Sequence, residues 1–336
     1  MRTITYEQQG PAAQVLRLQE RPAPAAPTAG QVLVRVLARP VHPGDLAGVE
    51  GFPGLPQQRF ATPQVPGLEG TGVVEALGEG VPGLVSGQRV AFFPVPGAWS
   101  ELVTVPAELV VPVPHAVSAE TAAVLLVNPI TLLTLLRAVE DAGKGQPGPV
   151  VQTAAGSSIG KLVSAAALRH GFPLVNLVRS AAGARELRQR FPALPAISTS
   201  DADWRTQVRD AVGGSGAQVV LYAVGGSLTG DLTALLADGG TLISYGALGS
   251  GGTVLESLAP APRELTVRGV SVGRWLLTRT PAERAEDVAF AIDLAETAPE
   301  LFEVAGRYDL ADFAEAVDHV RRPGKSGTVL LTGPAS

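Results

Sequence analysis

The sequence predicts an α/β protein: a doubly wound parallel sheet joined to a second, β-rich unit shaped as a partly open barrel. Three observations predict it. Residues 150–178 read as strand, tight small-residue turn, helix and strand. From about residue 118 helical and strand patterns alternate at short spacing, as in parallel sheets. Before that point, short strand patterns are separated by frequent Pro and Gly.

The elements follow in order. Segments 31–38 and 70–77 alternate β-branched and polar residues, the period of half-buried strands. Residues 87–92 follow a Pro-Gly turn, and 99–105 and 108–113 are further short strands. Segment 40–66 reads as one long irregular loop, of the kind that lines a site. Helices are expected at 120–126 and 131–139. Strands at 150–153, 174–178, 196–197, 218–222, 240–244 and 265–270 then alternate with helices at 158–170, 182–190, 204–212 and 229–236. The tail carries helices at 282–294 and 311–320 and a last strand at 328–331, and is expected to rejoin the first domain. The domains are therefore drawn as 1–127 with 273–336, β-rich, and 128–272, with alternating strands and helices.

Bulk composition excludes several functions. The chain has 336 residues, 46% hydrophobic and 17% charged, which is enough apolar material for a large core. Its net charge is −5 and no basic stripe is present, so no nucleic acid is expected as partner. Without cysteine there is no disulfide, thiolate metal ligand or thiol nucleophile. Four scattered histidines add no metal site. The apolar run 122–136 is broken by Asn128-Pro129 and is too short to span a bilayer, so no membrane is expected. No signal-peptide core opens the chain, and a cytoplasmic location is expected.

The candidate chemistry starts at the turn after residue 153. A nucleotide loop needs little side chain at three points: the turn itself, the approach of the phosphates, and helix–sheet packing. Ala154, Ser157 and Gly160 stand there, with Ser158 and Ile159 opening the helix whose N-terminus would face a pyrophosphate. Later strands also end in small residues, among them Tyr245-Gly246. Binding of NAD usually shows an acidic residue at the end of the second strand. Arg179-Ser180 stand there instead, a cation and a hydroxyl suited to a 2′-phosphate, so NADPH is the expected cofactor.

Further residues carry a family resemblance. Pro66-Gly67-Leu68-Glu69-Gly70 with Gly78-Glu79-Gly80-Val81 and Gly87-Gln88-Arg89-Val90 resembles the N-terminal signature of the medium-chain dehydrogenase/reductase superfamily. Leu68 replaces that signature's histidine, and the zinc cysteines have no counterpart. The chain thus resembles the zinc-free quinone oxidoreductases and 2-enoyl thioester reductases. Val127-Asn128-Pro129 with Thr131, Leu177-Val178-Arg179, and Arg268-Gly269 with Trp275 are similar to segments of the latter. Its Asn-Pro-Ser-Asp motif corresponds to His42-Pro43-Gly44-Asp45. The tyrosine turn that follows in that family is Gly51-Phe52-Pro53-Gly54 here, so its phenol is missing.

The resemblance implies a Rossmann domain, a GroES-like catalytic domain and a homodimer formed through the last strand of the cofactor sheet. It implies a reductase of an activated alkene, enoyl thioester or quinone. The missing phenol leaves open a second function, a catalytically weak or inactive NADPH-binding protein. Reduction needs a donor for the oxygen that becomes anionic; His42 and Asn128 are the candidate catalytic residues. Lys325, in a terminal loop similar to the family's, is a candidate cofactor contact. Phe52, Phe93, Trp99 and Trp275 are expected to line a pocket for a small apolar or conjugated carbonyl or quinone substrate.

Overall fold

The computed structural model describes residues 1–52, 55–143, 148–246, 248 and 261–333. The chain divides into two compact units, Met1–Ile130 with Thr278–Ser336, and Thr131–Leu277.

The discontinuous unit is built on β-structure. A seven-stranded sheet runs in the order Val304–Asp309, Thr328–Thr332, Gln31–Pro40, Gly70–Leu77, Arg89–Phe92, Val110–Pro112, and Leu102–Pro106 pairs with Gln31–Pro40 off that path. Val32, Val34 and Val36 are buried at alternate positions and pack with Ile4, Val74, Val90 and Trp99. Arg39 is fully buried in this unit. Its guanidinium donates to three carbonyls, Ser100 at 2.9 Å, Ala98 at 3.2 Å and Leu331 at 3.4 Å. Burial lowers its pKa to about 10, so it stays a cation at neutral pH.

Several elements differ from the sequence reading. Arg2–Gln8, Arg17–Glu20 and Arg59–Gln64 form an antiparallel three-stranded sheet. Arg17–Glu20 is exposed throughout, so it shows no burial alternation. Segment 40–66 is not one irregular loop: it holds the helix Pro43–Glu50 as well as Arg59–Gln64. Gly44 and Gly48 lower helix propensity there, but Pro43 at the first helical position and Asp45 near the start set the helix. The strand Val304–Asp309 is hidden by Gly306, where a Cβ would lie 2.9 Å from His319 Nδ1. The helix expected at 120–126 is only Ala119–Ala122, and the next begins at Val127. Pro129 fits in its first turn, where amides lack intrahelical partners.

The continuous unit holds six parallel strands in the order Ala196–Ser198, Leu174–Val178, Val150–Gln152, Ala217–Tyr222, Leu236–Ser244, Thr266–Gly269. The order reverses between Val150–Gln152 and Ala217–Tyr222. In doubly wound sheets a ligand binds at the carboxyl ends of the strands at such a switch point. Leu174–Val178 is buried at every position, as a strand covered on both faces must be. Among the described residues, no helix is long and apolar enough to cross a membrane.

Candidate active site

The continuous unit presents a dinucleotide cradle. After Val150–Gln152 the chain turns through Ala154, a non-glycine residue at φ 52°. The loop is anchored on both sides: Ala155 N–H donates to Leu177 O at 3.1 Å and Thr153 N–H to Leu221 O at 2.9 Å. Ser157 caps the helix Ser158–His170, its Oγ accepting from Gly160 N–H at 3.1 Å. At Gly160 a Cβ would lie 2.5 Å from Ala155 Cα, so this position needs glycine for close helix–loop packing. Beneath the loop, Gln152 Nε2 donates to Gly160 O at 2.9 Å and Ser164 Oγ at 3.0 Å.

The second strand, Leu174–Val178, delivers Arg179 and Ser180, both exposed, to its carboxyl end. Ser180 Oγ accepts from Gly183 N–H at 3.2 Å and caps the helix Ala181–Arg190. That use leaves its hydroxyl proton to donate elsewhere. Tyr245 follows the fifth strand and Gly246 is exposed beside it. The Tyr245 hydroxyl is buried with no hydrogen-bond partner, and burial raises its pKa. An orphaned hydroxyl, a glycine-only contact and an exposed arginine at the strand end all fit a bound dinucleotide phosphate.

The discontinuous unit presents a second cluster. His42 precedes the helix Pro43–Glu50, and its N–H donates to Asp45 Oδ2 at 2.9 Å. Its Nε2 lies 2.8 Å from Glu69 Oε2. Glu69 is fully enclosed, and its other oxygen, Oε1, accepts from Leu126 N–H and Val127 N–H, each at 2.7 Å. The His42 side chain keeps 14% exposure, a narrow window to solvent. Burial disfavours its charge, but the Glu69 hydrogen bond and charge, aided by Asp45, outweigh burial and the opposing Lys325 ammonium. His42 is therefore held above the ordinary histidine range. Burial pushes the Asp45 carboxyl up to about 6.

Other expected site residues fall out differently. Asn128 is buried near the start of its helix. Lys325 is half-buried and its Nζ donates to Gly327 O. Trp99 is a correction: it is fully buried in the core and its Nε1–H donates to Pro40 O at 3.2 Å. Gly67, at φ 88°, leaves the room its ring fills, since a Cβ there would lie 2.3 Å from Trp99 Cδ1. Phe93 and Trp275 are also buried, whereas Phe52 is 57% exposed. Pro53 and Gly54 of the glycine-proline turn lie outside the described residues. Glu69 is the partner that sequence spacing did not pair with His42; 27 residues separate them. Among the described residues no group of three metal-ligating side chains occurs.

Comparison with known proteins agrees with this geometry. Residues 28–115 match the alcohol dehydrogenase GroES-like domain, and residues 158–291 match the zinc-binding dehydrogenase domain. The mitochondrial enoyl-[acyl-carrier-protein] reductase of Xenopus tropicalis is 30% identical over 302 residues, 88% of this chain and 84% of that protein. A mycobacterial protein solved in complex with NADPH superposes with a TM-score of 0.84 at 28% identity, covering 99% of this chain and all of that one. A quinone oxidoreductase of Pseudomonas syringae superposes with a TM-score of 0.82 at 26% identity, covering 98% and 99%. With no cysteine to supply zinc thiolates and a leucine where the family signature has its histidine, the chain belongs to the zinc-free branch of the medium-chain dehydrogenase/reductase superfamily.

Proposed function

We propose that the protein is an NADPH-dependent, zinc-independent reductase of activated alkenes, enoyl thioesters or quinones. The observation that carries the cofactor half is Arg179, exposed at the carboxyl end of the second parallel strand beside Ser180. An acid there would repel a 2′-phosphate; a guanidinium offers it a planar fork of donors. When bound, the reduced nicotinamide supplies the hydride. Ala154, Ser157, Ser158, Ile159 and Gly160 hold the pyrophosphate end through backbone amides and the helix N-terminus. Tyr245 and Gly246 complete the cofactor contacts of this unit, where the orphaned Tyr245 hydroxyl would gain a partner. His42, and Asn128 behind it in rank, serve the acceptor oxygen as proton or hydrogen-bond donors.

The acceptor class follows from relatives that include both an enoyl thioester reductase and a quinone oxidoreductase. Exposed Phe52 and Leu55 supply apolar surface for such a substrate. The test is NADPH oxidation over a panel of quinones, α,β-unsaturated ketones and enoyl thioesters, with dissociation constants for NADPH and NADH. Turnover with one class and tighter NADPH binding support the reading. Tighter NADH binding overturns the cofactor assignment, and NADPH binding without turnover leaves a binding protein. The exposed edge strand Thr266–Gly269 is where a second copy would pair, which light scattering measures.

A further inference from the structure

We infer that Gln152 and Asn176 are positioning residues for the dinucleotide, a role that rests on the cofactor reading above and deepens it. With Ser164 they form a buried polar strut that sets where the loop amides meet the pyrophosphate.

Gln152 ends the strand Val150–Gln152, and Asn176 stands beside it in register on Leu174–Val178. Their side chains therefore leave the same face of the sheet, toward Ser164 on the helix Ser158–His170. None of the three residues has exposed surface. Gln152 Nε2 lies 2.9 Å from Gly160 O, 3.0 Å from Ser164 Oγ and 2.5 Å from Asn176 Oδ1. Ser164 Oγ lies 2.9 Å from Gly160 O and 3.1 Å from Asn176 Oδ1. A carbonyl only accepts, so Gly160 O fixes which end of the Gln152 amide faces it. The second Gln152 N–H then fixes Asn176 with Oδ1 inward. Gly160 is thus held at both ends, its N–H by Ser157 Oγ and its carbonyl by the strut. The amides that open this helix are the ones that would face a pyrophosphate.

Such a strut is not what a sheet core needs for stability. The two strands are otherwise apolar, and both are buried at every position. Leucine or valine would bury there with no polar group to satisfy. Once the amides are oriented, Gln152 Oε1 and Asn176 Nδ2 have no hydrogen-bond partner among the described residues. Buried orphans of this kind cost folding free energy. What the polar side chains supply is direction. Bonds from two strands fix the height of the first helical turn above the sheet, which apolar burial, being non-directional, does not.

The test separates affinity from stability in the whole protein. Gln152→Met combined with Asn176→Leu keeps the side-chain lengths and removes both orphaned atoms. Ser164 Oγ retains Gly160 O as its acceptor, so its hydroxyl stays paired. NADPH binding is followed by fluorescence titration and unfolding by thermal melts. A second ligand, adenosine 2′-monophosphate, carries the phosphate read at Arg179 but no pyrophosphate. The double variant should melt at or above the wild-type temperature and bind NADPH about tenfold more weakly. Its affinity for adenosine 2′-monophosphate should match the wild type. Val208→Ala opens a cavity in the apolar core of the same unit and measures the NADPH affinity lost to softening alone. If the double variant does not fold, Gln152→Met alone carries the comparison, since Ser164 Oγ still reaches Asn176 Oδ1. Unchanged NADPH affinity overturns the inference and leaves the cofactor reading standing. An equal loss for both ligands also overturns it, as does a loss no larger than Val208→Ala shows at the same drop in melting temperature; either marks the strut as scaffold. If the wild type binds no NADPH, both readings fall.

Discussion

Gly160→Ala tests the cradle most directly. The added Cβ would lie 2.5 Å from Ala155 Cα, 2.6 Å from Ala155 O and 2.7 Å from Ala154 O. Ordinary contacts lie near 3.5–4.0 Å, so the helix and loop must separate by about 1 Å. All three atoms are backbone, and no rotamer change relieves them. The shift also pulls Gly160 N–H from Ser157 Oγ and strains the Gln152 bond to Gly160 O. Overpacking costs about 1–3 kcal/mol, and a weakened cap adds about 1 kcal/mol. Better helix propensity returns about 0.5–1 kcal/mol. The net loss is about 1–3 kcal/mol, or roughly 3–10 °C in Tm for a domain of this size. Because the loop moves where phosphates would lie, NADPH should also bind at least about tenfold more weakly. Thermal melts and NADPH fluorescence titration measure both. A variant that melts within a degree of the wild type and binds NADPH equally well refutes the packing argument.

Three further outcomes are expected. Arg179→Asp should raise the NADPH dissociation constant about tenfold while leaving NADH binding nearly unchanged; an equal loss for both cofactors would remove the 2′-phosphate role. Asp45 has a folded pKa of about 6 against an ordinary 3.8. The folded state therefore holds this proton more tightly, and the group's contribution is greatest below 3.8 and lost as pH rises through 6. The wild-type stability minus that of Asp45→Asn should thus fall between about pH 4 and 7, measured by urea unfolding, and a rising difference would contradict the assignment. Trp99→Phe removes the donor to Pro40 O and should cost about 1–3 kcal/mol of stability with KM for the acceptor unchanged. A raised KM would return Trp99 to the pocket.

The continuous unit was largely legible because its signals are local. Strand–turn–helix spacing places Ser157 at the cap and Gly160 one turn on, and Leu174–Val178 and Trp204–Val212 match their apolar patterns to the residue. The discontinuous unit was read less well. Arg2–Gln8 and Arg17–Glu20 pair across a short helix and carry no alternation of burial. Pro43–Glu50 is a helix despite two glycines, since capping by Asp45 outweighs propensity. The contact between His42 and Glu69 depends on tertiary placement, which no periodicity encodes. Trp99, expected from the sequence to line the pocket, is held in the core by its bond to Pro40 O, a tertiary contact that its sequence neighbours do not encode.

The buried Arg39 also orders events during synthesis. One of its three carbonyl partners, Leu331, lies 292 residues further along the chain. The strand that carries Leu331, Thr328–Thr332, pairs with Gln31–Pro40 itself. While the chain is being made, Arg39 therefore faces an unfinished core, and a permanent cation there lacks part of its coordination. The segment Thr131–Leu277 is continuous and can close first, as domains do on an emerging chain. The flanking unit waits for the last strand, so its early product is a cofactor domain attached to an open β-rich half. Loss of the final ten or so residues would leave that half without its closing strand, however intact the nucleotide loop remained.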